Sequence, residues 1–174
     1  TVNVSSGNNG SVTNYNGVYN YGTEIDVKAT AKEHYHFVKW SDGNTENPRK
    51  IVVKDNVNIK AEFSIDMFNL NVIVENGSIA GCGSYEYGAI ATITATANEG
   101  YRFVKWSDGN IANPRTIKMT QDIVLTAEFE LKKYDVIAIG STNGSVSGSG
   151  EYEHGKTAIL NAIANNGYHF VKWS

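Results

Sequence analysis

The 174 residues carry 15 basic and 18 acidic side chains, a formal charge of −3, and only 19% of them are charged. That balance argues against a nucleic-acid or polyanion surface, and no apolar run approaches the roughly 20 residues of a membrane-spanning helix. One cysteine, Cys82, makes no internal disulfide and no thiolate metal cluster; it is expected to be partly buried or inert.

Seventeen glycines, two prolines and ten tyrosines predict short strands with many turns. The first turn signal is Asn9–Gly10, a dipeptide suited to a type I′ hairpin. The Tyr19-Asn20-Tyr21-Gly22 stretch then marks a second short hairpin. From Glu24 to Ala31, Ile25, Val27, Ala29 and Ala31 alternate with polar residues, the period of a strand with one buried face. In Tyr35–Trp40, alternation sends Tyr35 and Phe37 one way and Val38 and Trp40 the other, so the strand is either central or bent to let Trp40 close the core. An Asp42–Gly43 turn follows, with Pro48 outside the strands. Ile51 and Val53 mark a further strand, and Val57, Ile59, Ala61 and Phe63 line one face of the last.

The same series then repeats. Phe-Val-Lys-Trp-Ser stands at Phe37–Ser41, Phe103–Ser107 and Phe170–Ser174, with tryptophans 66 and 67 residues apart. Asn-Gly-Ser recurs at Asn76–Ser78 and Asn143–Ser145, and the tyrosine hairpin at Tyr85–Gly88 and Tyr152–Gly155. Trp40–Arg49 and Trp106–Arg115 share one pattern, and Ala-Glu-Phe ends at Phe63 and at Phe129. Internal repetition is the dominant signal. The fold expected is all-β, β-grasp-like or a related small β module, in a tandem array of about 66-residue repeats: 1–64, 65–130 and 131–174, the third incomplete.

This order of motifs resembles the divergent internalin B-type repeat, a bacterial surface repeat related to the Listeria–Bacteroides repeat. Glu99–Asn110 with Leu125–Phe129 is the closest stretch, and the resemblance spans nearly the whole chain. His34 stands where the family tends to have glycine, a departure expected to touch only the turn. The resemblance implies an extracellular module of a larger, multi-domain bacterial surface or secreted protein, with no catalytic residues and no cofactor. It carries over no set of ligand-binding residues.

The residues themselves agree with a non-enzymatic reading, because three near-copies do not suit one catalytic constellation. Four histidines (His34, His36, His154, His169) do not recur as metal ligands would; Arg102 replaces the histidine in the second copy. Asp42, Asn44, Asp108 and Asn110 offer oxygens for calcium but lack further acidic ligands; a turn aspartate bonding its own backbone is expected. Lys39, Lys105 and Lys172 would be candidates for an isopeptide crosslink if buried beside a carboxylate. Catalytic, cofactor-binding and metal residues are therefore expected to be none, with ligand-binding residues unassigned. The leading function is a spacer or stalk. The rival is an adhesion module binding glycan or host protein through Tyr21, Tyr87, Tyr152 and the tryptophans, with buried rings favouring the first and exposed coplanar rings the second. Trp40 and Trp106 are expected to be buried plugs. The third copy lacks the two strands that follow the motif, so a fragment of a longer repeat protein is expected, with that copy less ordered or completed by strand pairing.

Overall fold

The structure is a computed structural model and describes residues 1–174. It contains eighteen strands and no helix, as the alternation predicts. The chain packs into two compact units: Thr1–Leu70 with Gly83–Ile90 and Lys118–Asp122, and Asn71–Cys82 with Ala91–Ile117 and Ile123–Ser174.

The first unit holds seven strands of the first repeat: β1 (Val2–Ser6), β2 (Gly10–Val12), β3 (Glu24–Val27), β4 (Ala29–Ala31), β5 (Tyr35–Trp40), β6 (Arg49–Val52) and β7 (Val57–Ile65). β7 is central. It pairs in parallel with β1, Val2 opposite Val57 and Val4 opposite Ile59, and antiparallel with β5, Phe37 opposite Phe63 and Trp40 opposite Ala61. Two further ladders, β2 with β4 and β3 with β6, supply Ile25, Val27, Ala29 and Ile51. These side chains meet Val2, Val4, Trp40, Val53, Ile59 and Ala61 in one core. Alternation in β3 and β7 reads directly as burial, with polar partners outward. The unit also takes in the start of β8 (Met67–Val74), which pairs antiparallel with β10 (Gly83–Glu86). Leu70 and Met119 are its further buried residues.

The second unit repeats the plan. Its strands include β9 (Gly77–Ala80), β11 (Ile90–Ala97), β12 (Tyr101–Trp106), β13 (Arg115–Lys118) and β14 (Ile123–Leu131). β12 pairs with β14 in the register of β5 with β7, Phe103 opposite Phe129 and Trp106 opposite Ala127. Ala91, Ile93, Ala95, Trp106, Leu125 and Ala127 are buried. The third repeat contributes β15 (Lys133–Val136), β16 (Gly144–Ser147), β17 (Gly150–Glu153) and β18 (Asn161–Ala164), paired β15 with β17 and β16 with β18. None of its residues is buried.

Two local expectations are corrected. The Trp strand is not a simple alternation: a β-bulge lies between Phe37 and Lys39, and between Phe103 and Lys105. The extra residue puts Phe37 and Trp40 on one face, with ring centroids 5.4 Å apart, and leaves Val38 exposed. The Asn-Gly dipeptides do not make type I′ hairpins, because β1 and β2 pair with different strands and none of Gly10, Gly77 and Gly144 has positive φ. Glycine is required instead for close approach. A Cβ at Gly10 would overlap the Phe63 ring, and one at Gly77 would lie 2.6 Å from the Phe129 ring.

Candidate functional site

The most strongly recurring constellation is Trp40–Arg49 with its copy Trp106–Arg115, and most of its buried polar groups find partners within their own repeat. Trp40 Nε1 donates to the Glu46 carbonyl at 2.9 Å, and Trp106 Nε1 to Ala112 at 2.8 Å. The Ser41 hydroxyl accepts from the Lys60 amide at 3.0 Å, and Ser107 from Thr126 at 2.9 Å, which ties the motif to the central strand. Gly43 and Gly109 turn the chain at φ of 87° and 84°. The Asn47 side-chain amide clamps Ala29, accepting from its N–H and donating to its carbonyl at 2.8 Å each. Asn113 holds Ala95 in the same way. The Asn47–Pro48 and Asn113–Pro114 bonds are cis, and both prolines lie outside strands.

Arg49 grips Asp42 through two hydrogen bonds of 2.9 and 2.8 Å, and Arg115 grips Asp108 through two of 2.9 Å. Each guanidinium lies over its tryptophan, 6.0 and 5.8 Å from the ring centroid, a cation–π contact beneath a nearly buried charge. Arg49 Nε and Arg115 Nε are buried without a hydrogen-bond partner. Burial pushes the Asp42 carboxyl up, but the Arg49 bonds, the Asn44 amide and the Arg49 charge together hold it below 3.8. For Asp108 the Arg115 hydrogen bond leads, opposed by desolvation, and the carboxyl again lies below 3.8. The oxygens considered for calcium are thus committed: both Asp carboxylates face an arginine, and Asn44 Oδ1 accepts from Glu46.

The aromatic candidates divide. Trp40 and Trp106 are 0% exposed, as plugs should be, while Trp173 is 46% exposed. Tyr21 is 80% exposed. Tyr152 is half-buried and donates to the Gly148 carbonyl at 2.8 Å. Lys39 and Lys105 are half-exposed, 3.8 and 3.6 Å from Glu62 and Glu128, so they lack the burial that isopeptide chemistry requires. Lys172 is exposed. Cys82 is exposed rather than partly buried, because Gly81 and Gly83, both with positive φ, carry it on a turn.

His36 lies 2.9 Å from Asp66, and Arg102, its counterpart, pairs with Glu130. His169 is exposed. His34 does more than fill a turn. It adopts φ of 64°, like the 80° of Gly100 in the next copy, and its ring stacks on Tyr87 at 3.4 Å and 12°. The His34 carbonyl accepts from Asp66 N at 2.9 Å, and the Asp66 carbonyl from Tyr87 N at 2.8 Å. The same clasp recurs where Gly100 accepts from Lys132 N and Lys132 from His154 N, both at 2.8 Å. There the His154 ring lies against Gly100, where a Cβ would collide with it. Each clasp joins a turn of one repeat to the tyrosine hairpin of the next through one linker residue. Sequence reasoning missed it, although the third residue of each hairpin (Tyr21, Tyr87, His154) is always a ring.

No helix is long and apolar enough to cross a membrane. Comparison with curated proteins and with solved structures returns no match. Comparison with protein-family models returns the divergent InlB B-repeat domain over residues 1–66, 69–133 and 134–174. Those segments carry the Trp–Arg–Asp constellation twice and the tyrosine hairpin three times, so the chain belongs to the divergent InlB B-repeat domain family, as three tandem segments of which the last is shorter.

Proposed function

We propose that the chain is a non-enzymatic spacer of a bacterial cell-surface or secreted protein, with modules at 1–64, 65–130 and 131–174, acting outside the cell. One observation carries the reading: in the residues that recur most closely, Trp40–Arg49 and Trp106–Arg115, the indole rings are fully buried and their N–H groups, the Ser hydroxyls and the Asp–Arg pairs are engaged within their own repeat, the two buried Arg Nε groups being out of reach of a ligand. A recognition motif would leave some of them free for a ligand. Membership of a surface-repeat family supports the location and the place within a larger protein. Adhesion is the second reading, and the exposure of Tyr21 favours it. A glycan array and a panel of host surface proteins, probed with the chain and with Tyr21→Ala, separate the two. The spacer reading expects no saturable binding. Binding that Tyr21→Ala abolishes would replace it with adhesion.

A further inference from the structure

We propose that the first repeat is a tension-bearing module, loaded in shear when the chain is pulled along its length. This role rests on the spacer reading, since a linking module carries the tension between its neighbours. β1 and β7 are the first and last strands of the repeat, and they pair in parallel over five residues, from Val2 opposite Val57 to Ser6 opposite Ala61. Force entering at Thr1 pulls the head of β1, and force leaving through Ile65 pulls the tail of β7. In a parallel pair those points lie at opposite ends of the ladder, so all its bonds are strained together along the strand axis. Pulling on neighbouring ends of an antiparallel pair would instead break the bonds one at a time. β7 also reaches the next strand without slack, because only Asp66 separates Ile65 from Met67.

The ladder is braced on both sides and sealed. Val57 N donates to the Thr1 carbonyl at 2.9 Å. On the other side of β1, Val2 exchanges hydrogen bonds of 2.8 and 3.0 Å with Gly17, and Val4 N donates to Asn16 Oδ1 at 2.6 Å. β5 holds the far side of β7. Val2, Val4, Ile59 and Ala61 are at most 4% exposed, so water does not reach these positions to replace a strained bond. A slip of one residue would turn Val2 and Val4 out of the core. β1 therefore cannot slide along β7 until the core around Trp40 opens.

Single-molecule pulling of the full chain in two directions, in a Cys82→Ser background, tests this. The first pair of handles is attached through Thr1→Cys and Ser64→Cys, at the head of β1 and near the tail of β7. The second is attached through Glu33→Cys and Ser64→Cys, where β5 begins beside the end of β7, Tyr35 opposite Ile65. Thr1, Glu33, Ser64 and Cys82 are all exposed, so the core is the same in both. The expected rupture releases about 200 Å of chain for the first pair and about 100 Å for the second. At equal loading rate the first should need a force at least about twofold higher. Equal forces in the two directions, or a lower force through Thr1, would overturn the proposal and leave a spacer that bears no load. Ligand binding on the glycan or protein arrays would instead remove the spacer reading and leave the measured forces unchanged.

Discussion

At the scale of the residue, Arg49 and Arg115 decide how the Trp motif holds together. Each is only 13% or 12% exposed in its side chain, and each leaves a buried Nε without a partner. An unsatisfied buried donor costs about 1–3 kcal/mol. The bidentate aspartate and the indole face beneath the guanidinium offset that cost. The pair carries a pH dependence whose sign is fixed. Asp42 and Asp108 titrate below 3.8 in the folded chain, so unfolding takes up protons as the pH enters that range. Their contribution is fully present above about pH 3.8 and is lost as pH falls through the lowered folded values. Both carboxylates are over 40% exposed, so each pair contributes at most about 1 kcal/mol. Urea titrations of the chain and of Asp42→Asn/Asp108→Asn should show a gap at pH 7 that closes below pH 4. A gap independent of pH would remove this account.

At the scale of the element, the bulge in β5 and β12 separates what the sequence displays from what it conceals. Alternation in Glu24–Ala31 and Val57–Phe63 is visible because one face of each strand is buried along its length. The three-residue spacing of Phe37 and Trp40 has no such reading, since an inserted residue leaves no mark on a local pattern. A long-range clue existed in Lys39 and Glu62: if they pair outward, Trp40 faces Ala61 and Phe37 needs Val38 as an extra residue to face Phe63. Asn9–Gly10 misleads for the same reason, because the Phe63 ring, distant in sequence, decides what fits at Gly10. Val38→Thr should therefore cost less than about 0.5 kcal/mol, the range for exposed sites, and a loss above 1.5 kcal/mol would restore Val38 to the core. The clasps follow the same logic. Gly100→Ala adds a Cβ against His154 at a φ of 80°, and should destabilise by about 1–3 kcal/mol. Pairing it with His154→Ala should recover the collision and leave the backbone strain. Strict additivity of the two changes in a denaturant double-mutant cycle would mean the ring does not touch Gly100.

At the scale of the whole molecule, burial is distributed unevenly along three similar sequences. The first repeat gathers ten buried hydrophobic residues into one core, and the third has none. The local code is nonetheless intact in the third: Gly167 keeps the positive φ of Gly100, and Tyr152 and Phe170 make the ring and hydroxyl contacts typical of the array. Local geometry therefore does not depend on the core, whereas stability does, because each fully buried aliphatic or aromatic side chain contributes about 1.5–3 kcal/mol. Regions with few buried apolar contacts open at low free energy without global unfolding. Native-state hydrogen exchange should accordingly split the chain. Amides of Ile59, Ala61, Leu125 and Ala127 should open only at free energies near that of global unfolding. Amides of Ser145, Ile163 and Asn165, though hydrogen-bonded in a short ladder, should exchange at least about 100-fold faster, a difference of about 2.7 kcal/mol. Denaturant should leave the fast set unchanged, since little surface is exposed when these ladders open. Equal protection across the three repeats would show that the third draws stability from something other than buried side chains, and the link between core and order drawn from the first two would fail.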